Sequence, residues 1–289
     1  MISSDDFVAG LTSGQLDKFI SLVLDEDLGE NGDVTSEITI PINARLEAVV
    51  ATRQPIVLAG IALAEAFFRR TDPDISVERL AEDGSRMEAG APLLRLEGAG
   101  RAMLAAERSA LNALQHLTGI ATLARRYADA IEGTGCTLLD TRKTIPGLRV
   151  VEKYASRMGG AQNHRMRLDD GILIKDNHVA VAGSVDSAVR AARSASPGLL
   201  VQVEVDRVEQ IEEALAAGAE RLLCDNMNPD QLREAVILVA GRVPIEASGG
   251  ITLETIRDIA STGVNYVSVG RITQSAPAAD IGLDYKLGE

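Results

Sequence analysis

The chain of 289 residues has no tryptophan, four phenylalanines and four tyrosines. Proteins that hold single-stranded nucleic acid stack bases on aromatic faces, and this chain lacks the means. It also lacks an excess of basic charge, with 29 Lys and Arg against 42 Asp and Glu and a formal net charge of −13. A binder of the phosphate backbone is ordinarily basic, so nucleic acid is not an expected partner. No apolar run approaches the roughly 18 residues that a bilayer span requires, and no membrane segment is expected. The first residues, MISSDDFVAG, are acidic where an export signal is basic and then apolar, which predicts a cytoplasmic protein. Only two cysteines occur, Cys136 in CTLL and Cys224 in LLCD, each inside an apolar run. Small buried thiols are expected there, rather than a disulfide or a metal site.

What is present begins with apolar residues at 46%, enough to fold one large domain or two ordinary ones. The charge is unevenly spread. Residues 140–178 carry eight Lys or Arg against five Asp or Glu, a local +3, which leaves −16 on the remainder. His164 and His178, two of the three histidines, fall in the same window. A basic island in an acidic protein points to a small anionic ligand.

From about residue 136 one theme repeats: a short apolar run, a polar residue at its end, then a helical stretch. The runs are CTLLD (136–140), GILIKDN (171–177), LLVQVEV (199–205), RLLCDN (221–226), VPIEASGG (243–250) and NYVSVG (265–270). RVEQIEEALAAG, NPDQLREAVILVA and TLETIRDIASTG separate the last four, with apolar positions three and four apart as helices require. In the third, Thr252 is expected to open the helix as a weak cap, with Thr255 three residues on. Continuous apolar strands alternating with helices imply a parallel sheet covered by helices. Glu204, Asp225, Ser248 and Gly270 follow one another at 21 to 23 residues, the pitch of successive βα units. The fold class read from this is α/β, an open or incomplete α/β barrel of about six strands.

The first hundred residues lack that rhythm. A helix-like segment (14–27) leads to the turn-rich LGENGDVTSE, then to strand-like RLEAVVATR, PIVLAG and APLLRLEG, with a helix near ALAEAFFRR. EDLGENGDVTSE misses EF-hand spacing and reads as a turn with capping residues. A long helical stretch, about 101–131, follows, and DIGLDYKLGE at the end alternates as a strand would. The expected domains are an α+β domain over 1–114, completed by 277–289, and the barrel over 115–276.

Barrel active sites lie at the carboxyl ends of the strands. Those ends read Asp140–Arg142–Lys143, Lys175–Asp176, Glu204, Asp225, Ser248–Gly249–Gly250 and Gly270. Scattered surface charge would not keep such a register. Ser-Gly-Gly between a strand and a helix lets backbone N–H groups close on a phosphate, although a plain turn would look the same. Arg142, His164, Arg165 and Lys175 form a candidate pocket for a small dianion, since guanidinium forks match carboxylates. His164 alone has an ordinary structural reading as well. Glu204 and Asp225 either pair with a barrel cation such as Lys175 or hold Mg²⁺ and face developing positive charge. Lys175 has the further reading of a Schiff-base lysine.

The stretch from 138 to 178, with TRKTIPG (141–147), NHR (163–165) and IKDNH (174–178), resembles the quinolinate phosphoribosyltransferase family. EDLGENGDVTS (26–36), ERSALNALQHLTGIAT (107–122), VEVD (203–206), LLCDN (222–226), EASGGI (246–251) and SAPAADIGLDY (275–285) extend it over essentially the whole chain. The resemblance implies transfer of phosphoribose from 5-phosphoribosyl-1-pyrophosphate to quinolinate, with loss of CO2, giving nicotinate mononucleotide for NAD synthesis. It implies quinolinate binding by Arg142, His164, Arg165 and Lys175, with Arg108 reaching the site from the second subunit of a homodimer. It implies phosphoribosyl pyrophosphate on Lys143, Glu204 and Asp225, and its 5-phosphate on Ser248, Gly249, Gly250 and Gly270. Lys143, Lys175, Glu204 and Asp225 are the implied catalytic residues. Mg²⁺ accompanies the pyrophosphate, near Glu204 and Asp225, and no organic cofactor is implied, because the quaternised ring nitrogen is itself the electron sink.

The chain departs from the family pattern twice, carrying Gln274 where a histidine is implied and His116 where an arginine is. Rival readings are a same-fold relative associated with molybdenum transport, a nicotinate phosphoribosyltransferase, a Schiff-base aldolase on Lys175, and a binding module without catalysis. Asn163 and Lys175 count against the first, the number of cations against the second, and Glu204 with Asp225 against the last.

Overall fold

The computed structural model describes residues 8–195 and 198–286, without the side chain of Lys286. The acidic start of the chain and the end of the expected C-terminal strand therefore fall partly outside the described residues. The first part runs α1 (Ser13–Leu28), α2 (Val34–Thr39), β1 (Arg45–Thr52), β2 (Ile56–Val57), α3 (Ile61–Thr71), β3 (Ser76–Arg79), β4 (Arg86–Met87), β5 (Pro92–Ala99) and α4 (Gly100–Ala130). There follow β6 (Thr137–Leu139), α5 (Arg149–Met158), β7 (Ile172–Ile174), α6 (Asp176–Ala182), α7 (Val185–Ala195), β8 (Val201–Val205) and α8 (Ile211–Ala217). The chain ends with β9 (Arg221–Asp225), α9 (Pro229–Val239), β10 (Ile245–Ser248), α10 (Ile256–Ala260), β11 (Tyr266–Ser268), α11 (Arg271–Gln274) and β12 (Ile281–Lys286). Among the described residues no helix is long and apolar enough to cross a membrane.

Two compact units result, one of Met1–Ala124, Pro146–Gly159 and Ser275–Glu289, the other of Arg125–Ile145 and Gly160–Gln274. The division lies within α4, ten residues beyond the expected 114/115 boundary, and Pro146–Gly159 joins the first unit although the sequence reading placed it in the barrel. In the first unit an antiparallel sheet has the order β12-β1-β5-β3, with β2 and β4 paired separately. The C-terminal strand does return here: Ile281–Lys286 runs antiparallel to β1. α4 carries a fully buried stripe of Met103, Ala106, Ala110, Leu114, Leu117, Ala121 and Ala124, at the spacing that puts one helix face inward. Gly119 leaves room beside that stripe, since a Cβ there would stand 2.1 Å from the Pro277 carbonyl oxygen. The returning segment lies against this helix, with Ala279 N–H donating to Gln115 O at 2.9 Å. Asp33 caps α2 by accepting from Ser36 N–H at 3.0 Å, the capping role expected of the Gly-rich turn.

Four elements of this unit are not apparent from the sequence: α2 is a short helix where a turn is expected, and three others follow. β3 and β4 are short and mostly exposed, so they carry no apolar alternation. α5 buries Glu152 and Lys153 beside Val151, Ala155 and Ser156, and charged residues on the inward face hide its helical period.

The second unit is a parallel sheet of order β6-β11-β10-β9-β8-β7. Neighbours follow chain order except that β6 joins the last strand, the winding of a barrel, and β6 and β7 do not pair. The barrel is open at that seam. The outer edge of β6 is met by one parallel bridge from Gln162 to Leu139. The helix expected from Thr252 begins at Ile256: the Thr255 hydroxyl accepts from Thr252 N–H at 3.0 Å and closes a turn first.

Candidate functional site

Within the second unit the carboxyl ends of all six strands face a cavity of about 640 Å³. Side chains alternate along a strand, so the polar residue at a strand end and the residue two before it point the same way. Leu173 with Lys175, Leu223 with Asp225, and Glu246 with Ser248 all line the cavity by that rule. Of the residues singled out in the sequence, Arg142, Lys143, His164, Arg165, Lys175, Glu204, Asp225, Ser248, Gly249, Gly250 and Gly270 are brought together there. Arg108 is not among them; it is exposed on α4, in the part of that helix belonging to the first unit.

The cationic end is organised by a buried acid. Asp140, fully buried after β6, accepts from Asn163 Nδ2 at 3.0 Å and from His164 N–H at 2.8 Å. The NHR turn is thereby fastened to the end of β6. Arg165 donates through Nη1 to the Gly171 carbonyl at 2.7 Å. Burial, and then the positive charge of Arg142, lower the Arg165 pKa from its ordinary value. Two guanidiniums thus share one lobe of the cavity, and Arg142 Nε is buried there without a hydrogen-bond partner. Like charges held together with an unmade donor define a place for an anion with several acceptors.

Lys175 and Glu204 form a short ion pair. The Lys175 backbone N–H donates to His178 Nδ1 at 2.9 Å, so His178 closes the first turn of α6 and does not line the cavity. An ammonium paired with a carboxylate is not in the apolar or cation-flanked setting that frees a Schiff-base amine. Asp225 accepts from Asn226 Nδ2 at 2.7 Å. Asn226 itself adopts a left-handed φ of 56° and donates its N–H to Ser248 O at 2.9 Å, joining the ends of β9 and β10.

The other end is built of glycine. Gly249 has φ +92°, and a Cβ there would lie 2.2 Å from Asn226 Oδ1. Gly250 has φ +63° with open space around it. Gly270 admits the Lys143 stem, since a Cβ would stand 2.8 Å from Lys143 Cδ. The Thr273 hydroxyl donates to Lys143 O at 2.7 Å and fixes that loop further. Gln274 and Arg271 of α11 line this end together with Thr252.

Glu246 was not singled out in the sequence although it stands in the quoted EASGG. It is fully buried in β10, two residues before Ser248, and the strand-end criterion passed over it. Inward parity with Ser248 is the signal that finds it. Ser268, Thr141 and Arg271 also line the cavity without having been singled out as site residues. His116 lies in the first unit, with Nε2 2.8 Å from Oε1 of the buried Glu152. Glu204 and Asp225 offer oxygen ligands suited to a hard cation. Among the described residues no group of three His, Cys, Asp or Glu is placed to hold a metal, so the pair fits an ion that brings further oxygens on a ligand.

The family model described as quinolinate phosphoribosyl transferase, C-terminal domain, matches residues 120–284, and the N-terminal domain model matches 33–118. A nicotinate-nucleotide pyrophosphorylase [carboxylating] of Mycobacterium leprae is 43% identical over 273 residues, 92% of this chain and 95% of the relative. A probable enzyme of the same name from Bacillus subtilis is 40% identical, covering 94% of each chain. The crystal structure of nicotinate-nucleotide pyrophosphorylase from Ehrlichia chaffeensis superposes with a TM-score of 0.90 at 37% identity, over 93% of this chain and 98% of that one. The Francisella tularensis structure of the same name gives a TM-score of 0.92 at 35% identity, over 97% and 99%.

Proposed function

The chain belongs to the quinolinate phosphoribosyltransferase family, and from that premise we propose how its residues divide the reaction between them. The protein is a decarboxylating phosphoribosyltransferase that converts quinolinate to nicotinate mononucleotide. Its second substrate is 5-phosphoribosyl-1-pyrophosphate. The quinolinate ring nitrogen forms a bond to the anomeric carbon while the bond to pyrophosphate breaks and pyrophosphate keeps the electron pair. The bond from C2 to its carboxylate then breaks, CO2 leaves, and the pair stays on C2 beside the quaternised nitrogen until water supplies a proton.

The observation that carries this division is the lobe shared by Arg142 and Arg165, with its buried, unpartnered Arg142 Nε. A dicarboxylate supplies the acceptors that this lobe lacks. His164 and Lys175 complete the grip on quinolinate. The phosphoribosyl group lies toward the glycine end, its 5-phosphate against the backbone of Ser248, Gly249, Gly250 and Gly270, where glycine allows close approach. Lys143 meets the pyrophosphate. Glu204 and Asp225 face the ribose, where positive charge grows as the leaving group departs. Glu204 and Asp225 are the residues that would hold Mg²⁺ arriving with the pyrophosphate, and the ion would supply charge neutralisation at the leaving group. A second copy of the chain brings Arg108 to the quinolinate lobe, which makes the working unit a homodimer. The proposed place of action is the cytoplasm.

The test mixes purified protein with quinolinate, 5-phosphoribosyl-1-pyrophosphate and Mg²⁺ and follows nicotinate mononucleotide and CO2, with nicotinate as the parallel substrate. Product and CO2 from quinolinate alone are expected. Turnover of nicotinate without CO2 would contradict the assignment of the cationic lobe to a dicarboxylate.

A further inference from the structure

Beneath the cationic lobe lies a carboxylate that this division of labour does not use. Glu246 is 0% exposed, yet it lines the cavity. Its Oε2 accepts from Gln202 Nε2 at 2.8 Å and faces His164 Nε2 at 3.4 Å. Its Oε1 is buried with no hydrogen-bond partner. Burial by itself would raise the Glu246 pKa, but His164, Gln202 and Ser268 outweigh it and hold the group below the ordinary glutamate value. The side chain is therefore an anion at neutral pH. Keeping an ionised carboxylate buried in this way is costly, and an apolar residue of similar volume would fill the same space without that cost.

Its contacts converge on one ring. His164 Nδ1 accepts the Arg165 N–H at 2.8 Å, and a nitrogen that accepts carries no proton. The ring proton is then on Nε2, directed at Glu246. The His164 backbone is held separately by Asp140. Groups on four elements surround the carboxylate: Gln202 from β8, Cys224 from β9, Ser268 from β11 and His164 from the NHR turn. Among them only His164 also stands in the ligand lobe with Arg142 and Arg165.

We propose that Glu246 is a positioning residue for catalysis: its buried carboxylate, braced by Gln202, holds the Nε2 end and so the plane of the His164 ring at the quinolinate end of the cavity, while the Arg165 N–H on the opposite nitrogen sets the tautomer with it. This rests on the assignment of that lobe to quinolinate. A carboxylate behind a histidine sets which nitrogen is protonated and which way the ring faces, and its loss is felt through the histidine.

The experiment pairs kinetics with ¹⁵N NMR of the imidazole, measured without substrate. In the parent protein His164 should show two well separated ring nitrogens, Nδ1 bare and Nε2 protonated. Glu246→Gln keeps the shape and removes the charge; it should shift the Nε2 signal and bring the two signals closer together, and raise the quinolinate KM about tenfold, leaving the KM for phosphoribosyl pyrophosphate unchanged. In a His164→Ala background Glu246→Gln should have no further effect on quinolinate KM. Glu246→Asp draws the charge back by one methylene and serves the same reading if the Gln variant does not fold. Unchanged nitrogen signals, an equal rise in both KM values, or additive effects in the double variant would each overturn the proposal. Because the NMR arm needs no turnover, it tests Glu246 even if the parent protein proves inactive on quinolinate.

Discussion

Arg142 and Arg165 differ in how they are held, and their variants should differ too. Arg165 is tied to the Gly171 carbonyl, whereas Arg142 Nε has no partner, so Arg142 depends more on the ligand for its hydrogen bonds. Arg142→Ala and Arg165→Ala should each weaken quinolinate binding by about 2–5 kcal/mol, since a desolvated charge-assisted contact is lost. Arg165→Ala should in addition loosen the 163–171 loop, while Arg142→Ala should leave the melting temperature nearly unchanged. Calorimetric titration with quinolinate, beside thermal melts of both variants, checks this. Retained affinity in both would remove the dicarboxylate lobe. These two residues were legible as a pair because they stand at strand ends in a polar stretch. Glu246 was not, because a single acid inside a strand looks like any other interruption until its inward parity is seen in three dimensions.

At the scale of elements, the β9 and β10 ends form one unit through Asn226 and Gly249. Both have positive φ, and they touch. Gly249→Ala forces a methyl against Asn226 in a backbone region that L residues rarely enter, and should cost about 1–3 kcal/mol and raise the KM for phosphoribosyl pyrophosphate. Gly250→Ala shares the unfavourable φ but has open space, and is the milder control. Melting temperatures of the two variants decide the order, and equal losses would contradict it. The barrel strands and their helices were readable because apolar period and strand-end polarity agree over six repeats. Elements without that agreement escaped: β3 and β4 are too short and exposed, and α5 turns charged residues inward. α10 starts four residues later than Thr252 suggests because a threonine pair can close a turn as readily as cap a helix.

For the whole molecule, the two thiols report on folding as a unit. Burial pushes Cys136 up to about 12, and burial with the nearby Glu246 charge does the same for Cys224. An acid whose pKa is raised in the folded state contributes stability fully below its unfolded value, here 9.0, and that contribution is lost as pH rises toward about 12. Denaturant midpoints should therefore fall between pH 9 and 11, and less steeply when both cysteines are replaced by alanine. At pH 8 a thiol reagent should react slowly with the native protein and rapidly with both cysteines in denaturant. Cys224 is buried, whereas Cys136 is half-buried and departs from the expected burial, so fast reaction of Cys224 in the native state is the outcome that would contradict this. The cysteine positions were legible as apolar-run residues; the division of the chain was less so, because a helix that runs unbroken through a boundary leaves no linker to read.

The open seam has a mechanical meaning. β9 and β10, which carry Asp225 and lead into the glycine turn, are each flanked by two strands, whereas β7, which leads into Lys175, has only β8 beside it. Backbone amides on a strand with one neighbour open at lower free energy than those bonded on both sides. Hydrogen exchange should accordingly be faster in β7 than in β9 and β10. The cavity then has one stiff jaw, at the glycine turn proposed for the phosphate, and one compliant jaw, at the Lys175 end proposed for quinolinate.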